Sequence, residues 1–78
     1  MMEYTVHLFM DEDGDFTFEI QDLSGDVLCR SAREYADERG VLEKIRKLGM
    51  TPKNCVVKVQ DWDPWTQCEI WNLYSGAW

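Results

Sequence analysis

Three kinds of residue in this chain could do chemistry: the alternating carboxylates Asp11, Asp13 and Asp15, the single histidine His7, and the cysteines Cys29, Cys55 and Cys68. Asp-x-Asp-x-Asp opens like a calcium loop, which places oxygen ligands at its first, third and fifth positions. The match ends there, because Phe16 stands where the loop needs glycine and Asp22 where it needs glutamate. A turn between two strands is the expected role, with no metal. Any nucleophilic or acid–base scheme would have to use His7, paired with a cysteine across from it, and no spacing or glycine-rich oxyanion loop supplies that pair. His7 is expected as a half-exposed strand residue. Carboxylate pairs are plentiful, yet so short a chain has little mass from which to form a deep cleft, and phosphate-binding glycine loops are absent. A non-enzymatic protein without a cofactor is therefore expected; a small enzyme using His7 and a cysteine is the least favoured reading.

All four tryptophans, Trp62, Trp65, Trp71 and Trp78, lie in the stretch "QDWDPWTQCEIWNLYSGAW". They either cap a small core or are held out for a partner. Trp62 and Trp65 bracket a turn, where a large ring gains little unless it folds back or meets another molecule. Trp78 is expected to fray unless something holds it.

The elements that position these groups follow from apolar spacing. "YTVHLFM" alternates with Tyr4, Val6, Leu8 and Met10 on one side; after "DEDGD", "FTFEIQ" puts Phe16, Phe18 and Ile20 inward. "DLSGD" is a second turn and "VLCRS" a short third strand. A helix follows, capped either by Ser31 through a Ser-x-x-Glu capping box or by Asp37. Its buried side would hold Tyr35, Val41, Leu42, Ile45 and Leu48; Gly40 suggests a close approach to the sheet, and Gly49 supplies the stop. "CVVKVQ" and "TQCEIWNLY" are strands joined by "DWDPW". In the last of these, Cys68 and Ile70 facing inward put Glu69 and Trp71 on the open face; the reverse register would bury Glu69 at a cost. The expected fold is one α+β domain over residues 1–78, a small antiparallel sheet of about five strands with one helix on one face, in the order β-β-β-α-β-β.

The net charge is −7, and its distribution says more than its size. Residues 1–29 hold eight acidic residues and no lysine or arginine, while all eight basic residues lie between Arg30 and Lys58. Such a surface repels phosphate backbones and attracts basic protein surfaces, which argues against direct nucleic-acid binding. Neither an apolar run long enough to cross a bilayer nor the pattern of a signal peptide is present, so no membrane partner is expected. Three widely spaced cysteines make no disulfide framework, read as reduced and mostly buried, and agree with a cytoplasmic protein.

From Gly14 to Leu48 the chain resembles the YegP-like family of small β-β-β-α proteins. The matching features are the Gly-x-Phe-x-Phe strand, the Ser24-Gly25 turn, "VLCRS" followed by Tyr35, Asp37 at the helix cap, and Ile45 ten residues after the tyrosine. Lys44 departs from the small residue of that family, and the tryptophan-rich end has no counterpart in it. The resemblance implies topology and no catalytic residues.

The expected function is that of an acidic protein-binding module. It looks like the anti-CRISPR-type inhibitors of phages and mobile elements, in which carboxylates stand in for phosphates at a basic, nucleic-acid-binding site of a host protein. The residues expected to bind are Asp11, Glu12, Asp13, Asp15, Trp62, Asp63, Trp65, Glu69 and Trp71. The alternative is a homodimer joined through the uncovered sheet face or edge.

Overall fold

Alternating apolar residues become strands, and a three-to-four-residue apolar repeat becomes a helix, in the computed structural model of the chain, which describes residues 2–74 and 78. The strands are β1 (Tyr4–Met10), β2 (Phe16–Asp22), β3 (Val27–Arg30), β4 (Cys55–Asp63) and β5 (Cys68–Leu73), and α1 (Glu38–Lys47) lies between β3 and β4 in the chain. The fold is α+β in the expected element order. Its strands form one sheet, in spatial order β3-β2-β1-β4-β5.

That sheet is mixed. Three neighbouring pairs are antiparallel, as their short turns require, but β1 and β4 run parallel, with Tyr4 opposite Cys55 and Leu8 opposite Val59. The cause is the connection: the segment carrying α1 is long enough to return the chain to the starting end of β1, which a tight turn cannot do.

Asp37 begins the helix. Its backbone is extended (φ −149, ψ 170) and its Oδ1 accepts the Gly40 N–H at 2.9 Å. Ser31 is used elsewhere, since its Oγ accepts the Phe18 N–H at 3.1 Å and ties the end of β3 to β2. Gly40 answers to Tyr35 rather than to the sheet, because a β-carbon there would lie 3.2 Å from the tyrosine ring. Gly49, at φ +99, ends the helix in a conformation that costs glycine little. Leu48 becomes the C-cap and is exposed, not part of the buried stripe.

Val6, Leu8, Phe18 and Ile20 from β1 and β2 meet Val41, Leu42 and Ile45 from α1, with Tyr35, Met50, Cys55 and Val57 completing the core. Burial of the cysteines is less general than expected: Cys55 is buried, Cys29 half-buried and Cys68 exposed. Trp78 does not stand free, since its ring packs against the core and the Arg46 guanidinium donates to its backbone carbonyl.

Candidate functional site

Parallel pairing of β1 and β4 has a direct consequence for the acidic and aromatic residues. Both strands finish at the same end of the sheet, so the β1–β2 turn (residues 11–15) and the β4–β5 turn (residues 64–67) project side by side. β4 runs four residues beyond Val59, while β1 runs two beyond Leu8, so the second turn reaches about 7 Å further. A shallow cavity of about 200 Å³, lined by Met10, Gln60, Asp61, Trp62 and Glu69, lies between the end of β1 and the β4–β5 ribbon. Neither residues 10–17 nor residues 59–72 include a lysine, arginine or histidine.

Each turn is held by one carboxylate. Asp11 Oδ1 accepts the N–H groups of Asp13 at 3.0 Å and Asp15 at 2.9 Å. Asp63 does the same for the second turn, accepting the Trp65 N–H at 3.0 Å and the Thr66 hydroxyl at 3.0 Å. Asp11 and Asp63, counted among the binding residues from sequence, therefore have structural work, and Asp63 pairs with Cys68 on the side of the sheet facing away from Trp71. The carboxylates of Asp11, Asp13 and Asp15 gather within 4.8 Å of one another. Glu34 joins them, because Tyr35 bridges to Phe16; repulsion from Asp11, then partial desolvation and Asp15, raises its pKa above the ordinary value. Glu12 points into solvent at the tip of the same turn.

The tryptophans divide. Trp65 is 93% exposed and Trp62 56%, whereas Trp71 is 38% exposed. Trp71 stands on the face opposite α1, as its alternation with Ile70 predicts, and packs edge-on against His7 at 4.6 Å and Phe9 at 5.2 Å between ring centroids. Trp62 and Glu69 are register partners on that same face. Cys68 and Ile70 do face the helix side, yet both are exposed because α1 does not reach that far along the ribbon.

His7 lies in a cross-sheet row with Arg30, Glu19, Lys58 and Leu73. Its Nδ1 is buried without a hydrogen-bond partner, and desolvation, then Lys58, lowers its pKa against an opposing pull from Glu19. All three cysteines sit on the other face: Cys29 opposite Ile20, Cys55 opposite Tyr4, and Cys68 opposite Asp63. The sheet itself separates His7 from every thiol, so the Cys–His pair does not form. Burial also lifts the Cys55 thiol to about 11, well away from a reactive thiolate.

No protein family, no curated protein and no solved structure matches the chain. The site thus stands on its own geometry. It brings together Asp11, Glu12, Asp13 and Asp15 with Trp62, Trp65 and Glu69 at one end, sets Trp71 behind them on the open face, and adds Glu34, Asp61 and Met10. These additions have no local signal in the sequence, since each depends on strand pairing.

Proposed function

We propose that this chain is a non-enzymatic binding protein whose anionic, tryptophan-bearing end occupies a cationic site on another protein, of the kind that otherwise holds nucleic-acid phosphates. Such a protein would act as an inhibitor in the manner of the anti-CRISPR proteins of phages and mobile elements. One observation carries the reading: two adjacent turns free of lysine, arginine and histidine hold exposed carboxylates beside two exposed indoles. Carboxylates attract a basic site at long range, and tryptophan supplies the desolvated anchor that interfaces draw their energy from. Trp65 gains nothing inside its own chain at 93% exposure.

The test is affinity for a partner isolated from the native host, measured against ionic strength. Affinity is expected to fall steeply from low to moderate salt, and nucleic acid should compete for the same site. Glu12→Gln with Asp13→Asn should weaken binding without disturbing the turn, because Asp11 rather than these two holds it. Trp65→Ala should cost roughly tenfold or more in affinity. Salt-independent binding that is indifferent to these substitutions would overturn the reading.

A further inference from the structure

The two edges of the sheet are built differently. β3 has four residues, its pairing with β2 slips between Ile20 and Gln21, and it carries Arg30. Shortness and an irregular ladder keep an edge from pairing with foreign strands, and Arg30 repels a cationic one. β5 has six residues, an unbroken register with β4, no glycine, proline or lysine, and every residue exposed.

One hydrogen bond fixes which backbone groups the β5 edge presents. The Tyr74 N–H donates to the Val57 carbonyl at 2.8 Å, continuing the β4–β5 register by one pair. Residues of the same parity, Cys68, Ile70 and Asn72, therefore turn their N–H and C=O groups toward β4. Glu69, Trp71 and Leu73 turn theirs outward. The side chains of these three stand on the face that holds His7 and Phe9, so an added strand meets a carboxylate, an indole and a leucine in a row.

We propose that β5 is the docking edge for an extended, antiparallel strand of the partner, with arginine or lysine opposite Glu69 and Trp71 and an apolar residue opposite Leu73. This rests on the reading that the partner is cationic. A guanidinium there pairs with Glu69 and lies against the Trp71 ring, while Lys58, next to Leu73 in its row, disfavours a third cation. A second copy fits the edge less well. Pairing about Trp71 would satisfy the same backbone groups, but it sets each Glu69 opposite a Leu73 without counter-charge and joins two chains of net charge −7.

The probe is a capped peptide of about nine residues that begins with valine and then alternates threonine with arginine, so that the valine falls opposite Leu73. In antiparallel pairing the arginine amides face β5 and the threonine amides face away. N-methylation of the arginine amides should weaken binding roughly tenfold or more, and N-methylation of the threonine amides should leave it unchanged. Leu73→Pro removes an outward donor and no bond to β4, so it should weaken binding similarly while circular dichroism and the unfolding midpoint stay near those of the parent. Equal loss from the two methylation patterns, no loss in folded Leu73→Pro, or no peptide binding up to about 1 mM overturns the inference. So does a dimer of the protein alone that Leu73→Pro dissolves, since a second copy would then hold the edge. If Glu12→Gln with Asp13→Asn weakens the host partner and Leu73→Pro does not, the anionic-end reading stands and the docking edge falls. If neither matters, both fall.

Discussion

Trp65 and Trp71 are the same residue type six positions apart in one hairpin, and they do different things. Trp71 contributes two edge-on ring contacts, each worth about 0.5–1.5 kcal/mol beyond burial, so Trp71→Ala should destabilise the fold by about 1–3 kcal/mol. Trp65 contacts no ring, and Trp65→Ala should change stability by no more than about 0.5 kcal/mol. Urea titrations of the two variants check this. An equal loss in both would mean that Trp65 folds back onto the protein in solution. Period-two alternation was enough to assign Trp71 its face, because orientation within a strand is local. Its partners His7 and Phe9 were not legible, since they lie three hairpin turns and a helix away in sequence.

At the scale of elements, the strands, the turns and the capped helix could all be read from short-range patterns. The choice between Ser31 and Asp37 could not, because both offer the same capping chemistry. What decides it is a competing acceptor role: Ser31 Oγ takes the Phe18 N–H, leaving Asp37 to hold Gly40. Asp37→Ala should therefore cost about 1 kcal/mol, or roughly 4–8 °C in midpoint for a domain of this size, and Ser31→Ala should act on the β2–β3 edge instead. Amide exchange separates them, with faster exchange at Gly40 in the first variant and at Phe18 in the second. The direction of β4 was also beyond a local reading. A crossover connection allows an entry that short turns forbid, and this one change of direction sets the two exposed turns next to each other.

Across the whole molecule, charge is left largely unpaired. Among the described residues one ion pair, Arg30 with Glu19 at 3.7 Å, sets against fifteen carboxylates in the chain. The cluster at the turn end pushes against itself, and Glu34 reports it through its raised pKa. Because the folded value lies above the ordinary one, the folded state binds the proton more readily. The repulsion is complete above the folded pKa and is relieved as pH falls through it toward the ordinary value near 4.5. Glu34→Gln should accordingly raise the unfolding midpoint at neutral pH, with the gain shrinking in mild acid and in high salt. A variant less stable than the parent at neutral pH would mean that Glu34 makes an attractive contact instead.

The slip between Ile20 and Gln21 limits what can be built from this protein. With one margin of the sheet irregular and the other regular, lateral growth has a single direction and stops after one addition. Edge-to-edge ribbons, which require both margins to accept neighbours, are disfavoured by the irregular one.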